Sequence, residues 1–151
     1  MPPMAKHIPN TLDQHLCFKL YSASLKMTQI YKPLLAALNL TYPQYLVMVV
    51  LWEEEGLGIK DLAERLGQDP GSITPLVKRL EAVGYVNRDR DPNDERNRVL
   101  TLTEAGKALR KDGCLVQKHI AESAGVSLEE VQRLMTDLNS LNFGLANTLG
   151  E

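Results

Sequence analysis

Two leucine-rich stripes, one at each end of a 151-residue chain, constrain its fold more than any other feature. Leu12, Leu16, Leu20, Ala23, Met27, Ile30, Leu34 and Leu38 recur at spacings of four and three, which puts them on one helical face. Leu128, Val131, Leu134, Leu138, Leu141, Leu145 and Leu149 repeat the pattern up to the C-terminus. The first stripe implies a helix of about seven turns, with Pro33 kinking it or ending its regular part. Both stripes carry more leucine than a compact middle segment can bury. A homodimer built from the two ends is the simplest outlet.

Cap signals mark where helices begin. Thr11 with Gln14, Thr41 with Gln44, and Ser127 with Glu130 each have the spacing of a capping box. The second box opens a helix from Pro43 to about Glu54 that is apolar nearly all round and therefore central. After the turn Gly56–Gly58, Ile59 to Leu66 reads as a short helix. Gly67 then separates it from a second helix, Asp69 to Val83, with Ile73, Leu76, Val77, Leu80 and Val83 facing inward. This is a helix-turn-helix pattern. Two short strands, 85–90 and 98–102, flank the polar tip Asp91-Pro92-Asn93-Asp94-Glu95 and form a hairpin. A hairpin directly after a helix-turn-helix is a wing. Thr103 opens a further helix to about Ala124. The expected fold is mainly α with a small β-hairpin wing, a single domain over residues 1–151. Residues 43–102 form its winged helix-turn-helix core, and 11–40 and 103–151 its dimerisation helices.

Composition narrows the class. The chain is 44% hydrophobic and 24% charged, ordinary for a soluble domain with a real core. No apolar run approaches the roughly 20 residues needed to span a bilayer. Met1 to Asn10 has no apolar core segment and is expected to be a frayed arm rather than a signal peptide. A cytoplasmic setting follows, where Cys17 and Cys114 stay reduced. No spacing of cysteine and histidine suggests a metal site or a cofactor, and His7, His15 and His119 are expected at the surface or an interface. A net charge of −2 is neutral on nucleic acid, since the placement of basic residues matters more.

A DNA-reading helix needs short polar side chains at its N-terminal end, toward base edges and phosphates. Asp69, Ser72 and Thr74 sit there, followed by Lys78 and Arg79. The hairpin adds Arg88, Arg90, Arg96 and Arg98, and a tip arginine suits a narrow, electronegative minor groove. A solvated helix and charged hairpin would look much the same, because Asp89, Asp91, Asp94 and Glu95 nearly cancel the local charge.

Specific motifs carry a resemblance. Leu62-Ala63-Glu64-Arg65-Leu66, then Ser72 through Glu81, then Gly84-Tyr85-Val86, resemble the MarR (multiple antibiotic resistance regulator) family of winged-helix repressors. Asp94-Glu95-Arg96 with Val99 through Thr103 resembles that family's wing signature. The resemblance runs from about Leu12 to the C-terminus. It implies homodimers on pseudo-palindromic operator DNA, with Arg96 in the minor groove and Asp94 helping to hold its side chain. Pro70 departs from the family, standing where relatives usually carry a small polar residue that contacts DNA.

Within that family, Leu16-Cys17-Phe18, Tyr21 through Ser24, and Leu40 through Met48 resemble the branch that senses organic hydroperoxides. The resemblance makes Cys17 the peroxide-reactive residue, with Tyr31 and Tyr42 hydrogen-bonding its thiolate across the dimer. Lys19 departs from it, at a position that is usually small and apolar.

Helix geometry gives independent grounds for a cross-dimer site. Tyr31 lies 14 residues after Cys17, roughly 21 Å along a straight helix and on nearly the same side. One chain's Tyr31 therefore cannot touch its own Cys17, whereas an antiparallel partner's can. Thiolate is the reactive form, and a helix N-terminus with two phenol donors favours it. Spacing alone leaves open that Cys17 is an inert buried thiol and the tyrosines are packing residues. Some relatives carry a resolving cysteine near the end of the fifth helix, but Cys114 falls about two turns earlier. It is assigned a structural role, with oxidised Cys17 trapped by a small cellular thiol as a mixed disulfide.

The expected function is a transcriptional repressor, not an enzyme, released from its operator when organic hydroperoxide oxidises Cys17. Two alternatives stand beside it. One is a repressor of the same fold responding to a non-covalent aromatic or anionic ligand. The other is a thiol peroxidase, for which a winged helix would have no evident use.

Overall fold

The structure, a computed structural model, describes residues 11–151; the expected N-terminal arm and His7 lie outside them. The chain divides into two compact units, one ending at Val116 and the other running from Gln117 to Glu151. The first holds the short 3-10 turn Leu12–Gln14, α1 (Leu16–Ala36), α2 (Tyr42–Glu53), α3 (Ile59–Leu66), α4 (Pro70–Val83), β1 (Val86–Asp91), β2 (Asp94–Leu102) and α5 (Glu104–Ala108). The helix α6 (Arg110–Ser123) begins in the first unit, and α7 (Leu128–Leu149) lies in the second.

Local chemistry explains most boundaries. Thr41 and Gln44 form the expected capping box: the Thr41 hydroxyl accepts from the Gln44 N–H, and the Gln44 side chain accepts from the Thr41 N–H at 3.0 Å. That second bond satisfies the buried Gln44 amide oxygen. Gly67 and Gly84, at φ of 65° and 92°, end α3 and α4 in the left-handed conformation that costs glycine least. The Ser127 hydroxyl accepts from the Glu130 N–H and starts α7.

Three expectations change. Thr11 makes no side-chain cap, so a 3-10 turn comes first and α1 starts only at Leu16. Of the two outcomes expected of Pro33, a kink or an end to the regular helix, the second does not hold, since α1 continues to Ala36. Last, the stretch after Thr103 is assigned as two helices that meet at Leu109, whose conformation remains right-handed helical.

The core of the first unit sits where α2, α3, α4 and the hairpin converge. Met48, Leu51, Leu62, Ile73, Leu80 and Leu100 are fully buried there, each side chain worth about 1.5–3 kcal/mol relative to exposure. β1 and β2 pair antiparallel from Val86–Leu102 out to Asp91–Asp94, with an irregularity between Arg90 and Asp91. β1 is displaced by one residue from the expected 85–90 at unchanged length, β2 begins four residues earlier than expected, and only Pro92 and Asn93 form the tip. Leu57 adds an antiparallel bridge to Leu100 on the other side of β2. Among the described residues no helix is long and apolar enough to cross a membrane.

Both end stripes are largely exposed in the single chain. Leu16 on α1 is 59% exposed and Met27 45%, and α7 buries no residue, with Leu134 at 54% and Leu145 at 51%.

Candidate nucleic-acid interface and thiol site

The first turn of α4 is organised by Asp69, whose carboxylate accepts from the Ser72 N–H and from the Ser72 hydroxyl. A negative charge there also complements the positive end of the helix dipole. Thr74 turns its hydroxyl back to the Pro70 carbonyl at 3.0 Å. Asp69, Ser72 and Thr74 thus shape the helix end, while Lys78 and Arg79 stand exposed further along α4. Pro70 occupies the first helical position, where its missing N–H costs nothing.

The wing divides its arginines. Arg90, Arg96 and Arg98 are exposed. Arg88 is not: its Nε donates to the Glu81 carboxylate of α4, and its terminal nitrogen NH2 is buried with no hydrogen-bond partner. Arg88 therefore braces β1 against α4. Glu81 lies seven residues away on another element, so sequence spacing did not reveal the pair. Asp94 holds the tip differently than expected. Its carboxylate accepts from the backbone N–H of Arg96 at 3.0 Å and from the Asn97 side chain at 3.4 Å. The contact shapes the Arg96 backbone rather than its side chain.

The two tyrosines of the candidate thiol site come together, and the cysteine does not join them within one chain. Tyr31 and Tyr42 have ring centroids 4.8 Å apart. Cys17 is exposed in the first turn of α1, and its distance from Tyr31 along that helix is about 21 Å. Burial raises the Tyr42 phenol above its ordinary value, so at neutral pH it remains a protonated donor.

Two aromatic residues of the central helix α2 that the sequence did not single out extend the cluster. The Tyr45 ring lies 6.0 Å from Tyr31 and 6.4 Å from Tyr42. Its hydroxyl donates to the Gly113 carbonyl at 3.0 Å. Trp52 meets Tyr45 edge-on and donates its indole N–H to the Gly106 carbonyl at 2.8 Å. The Tyr45 phenol is raised by burial first, then by the neighbouring acidic Cys114 and Tyr42 groups. Cys114 itself is exposed.

Comparison with known proteins places this geometry. The model of the MarR family matches residues 40–97. The chain is 46% identical over 134 residues to the HTH-type transcriptional regulator TtmR of Methylorubrum extorquens, covering 88% of this chain and 68% of that protein. It is 42% identical over 130 residues to the organic hydroperoxide resistance transcriptional regulator of Bacillus subtilis, covering 86% of this chain and 88% of that one. The structure of reduced AbfR, a Staphylococcus epidermidis protein, bound to DNA superimposes with a TM-score of 0.72 at 31% identity, covering 89% and 94% of the two chains. With these relatives matched along most of their lengths, and a winged helix between its long terminal helices, the chain belongs to the MarR family and is a DNA-binding transcriptional regulator.

Proposed function

We propose that this protein is a homodimeric repressor that lets go of operator DNA when an organic hydroperoxide oxidises Cys17. The observation that carries it is the pairing of Tyr31 with Tyr42 at 4.8 Å, while Cys17 lies exposed toward the other end of the same helix. The site is incomplete in one protomer and is completed by a partner's α1 running antiparallel. The bare apolar faces of α1 and α7 supply the surface such a partner covers. The similarity to the Bacillus subtilis regulator supports the same reading.

The chemistry balances without a cofactor. The Cys17 thiolate attacks the terminal oxygen of the hydroperoxide, an S–O bond forms and the O–O bond breaks. The alkoxide leaves with the peroxide proton as an alcohol. Sulfur is oxidised to a sulfenate by two electrons, and the peroxide is reduced by two. After the sulfenate takes a proton from water, a small cellular thiol displaces water and leaves a mixed disulfide. Tyr31 and Tyr42 lose the anion they served, and a larger group enters the interface. On the DNA side, Lys78, Arg79, Arg90 and Arg96 meet phosphates and groove edges, with Asp69, Ser72, Thr74 and Asp94 shaping the elements that present them. A cytoplasmic setting, where small thiols are maintained, fits this cycle.

Replacing Cys17 by serine tests it. The expected protein binds its operator as before and holds on when cumene hydroperoxide is added. A Cys17→Ser protein released as readily as the native one would remove the proposal and favour a non-covalent ligand.

A further inference from the structure

The turn between α1 and α2 is flanked by the two phenols of the thiol site, Tyr31 seven residues before Leu38 and Tyr42 four after it. Its backbone is tightly wound. The N–H groups of Leu38 and Leu40 both donate to the Leu35 carbonyl, at 2.9 and 3.0 Å, and Asn39 takes a left-handed φ of 60°. The Leu38 carbonyl accepts the Tyr85 hydroxyl at 2.8 Å, across 47 residues of sequence.

Tyr85 is clamped at its other end. Its backbone N–H donates to the Leu80 carbonyl at the end of α4, at 3.0 Å. Its carbonyl accepts from the Thr103 N–H, where β2 gives way to α5, at 3.1 Å. A Cβ on Gly106 would lie 2.1 Å from the same carbonyl oxygen, so the backbone has no room to slide there. An open cleft of 430 Å³ also lies beside the turn, lined by Asn39, Leu40, Thr41 and Gln44 on one side and Arg79 and Val83 on the other.

We propose that the Tyr85–Leu38 hydrogen bond is the latch through which movement of Tyr31 and Tyr42 reaches the DNA-reading helix. This rests on the thiol reading above. When oxidation displaces the phenols, the turn between them shifts, and a hydrogen bond tolerates little change in length or angle. Tyr85 either follows the turn, carrying α4 and the end of β2 with it, or releases it. Tyr85 is a positioning residue, acting through the turn and α4.

Tyr85→Phe keeps the ring and deletes the bond. The probe is a duplex selected by the reduced native protein from a random-sequence pool. Three quantities are read: affinity of the reduced form, the rate at which cumene hydroperoxide oxidises Cys17 by mass analysis, and affinity after oxidation. The expected variant binds within about threefold of native when reduced and oxidises at the native rate. Its loss of affinity on oxidation is smaller than the native loss by roughly fivefold, the worth of one neutral hydrogen bond. Ile73→Val, which trims a fully buried side chain of α4 and leaves the latch intact, serves as a control for general loosening and should show the native loss. An unchanged loss in Tyr85→Phe, the same attenuation in Ile73→Val, or a reduced Tyr85→Phe protein that no longer binds DNA would each overturn the latch. If oxidation of Cys17 releases neither native nor variant protein, the thiol reading itself has failed.

Discussion

Tyr31 and Tyr42 meet with ring centroids 4.8 Å apart, one from the last third of α1 and the other from the first residue of α2. Neither ring is held by the other alone, because Tyr45 lies within 6.4 Å of both. The rings are therefore held in a packed aromatic cluster, and under the function proposed above this packing limits the rotamer freedom the two phenols lose on meeting the thiolate.

Removing either phenol while keeping its ring should slow the sensor and spare the fold. A hydrogen bond to a charged partner contributes about 1.5–3 kcal/mol. Tyr31→Phe or Tyr42→Phe is therefore expected to slow oxidation of Cys17 at neutral pH by roughly ten- to a hundredfold. Stopped-flow kinetics with cumene hydroperoxide measures this, and operator affinity of the reduced variants should stay native. Rates equal to native in both variants would leave the phenols with a packing role only.

Burial gives these phenols a second signature. Tyr42 and Tyr45 are both raised above the ordinary value of 10.0. In an alkaline titration followed by phenolate absorbance, two tyrosines should ionise above the ordinary value. The sign for stability follows from linkage. Between pH 10 and the raised folded values, the native state keeps protons that the unfolded chain has lost. Stability is intact below that window and falls as pH rises through it. A titration in which no phenol ionises above the ordinary value would contradict the packing described for Tyr42 and Tyr45.

Close approach makes two glycines sensitive. A Cβ at Gly106 would sit 2.1 Å from the Tyr85 carbonyl oxygen, a backbone atom. At Gly113 it would sit 2.6 Å from two carbons of the Trp52 ring. Overpacking typically costs about 1–3 kcal/mol and occasionally more. Gly106→Ala is expected beyond about 3 kcal/mol, because backbone cannot rotate away, and Gly113→Ala within that range. Urea unfolding of the two variants gives the order, and Gly113→Ala proving the more damaging would reverse the argument.

Much of this architecture was legible where chemistry is local. The Thr41–Gln44 box, the bounds of α3 and the stop glycines depend on residues within one turn of each other. The wing was harder. Asp94, Glu95, Arg96 and Asn97 open β2 as four exposed polar residues without apolar alternation, so that strand read as shorter than it is. Thr11 failed as a cap because the spacing is not sufficient by itself, and the chain took a 3-10 turn there instead. Among candidate site residues, the tyrosine pair came from the family resemblance, since spacing alone left packing open. Arg88 is drawn away by Glu81, and the Tyr85 hydroxyl reaches the Leu38 carbonyl across 47 residues, a pairing that no local spacing announces.

Asp94 and Arg96 offer a test of the wing in which simple charge and geometry predict opposite signs. Arg96 is exposed near the hairpin tip, and its backbone N–H is held by the Asp94 carboxylate at 3.0 Å. Arg96→Ala should weaken operator binding by about 1–3 kcal/mol and lower the salt slope by about one for each wing engaged. Its stability should be native, since an exposed side chain is lost. Asp94→Ala removes a negative charge beside phosphates, which on electrostatics alone would tighten binding. It also releases the Arg96 N–H and the Asn97 amide, freeing the tip that aims Arg96. The expected result is weaker binding despite the more favourable charge, measured by fluorescence anisotropy across a salt series. Tighter binding by Asp94→Ala at every salt concentration would mean that the carboxylate acts only as a charge and that the tip needs no internal support.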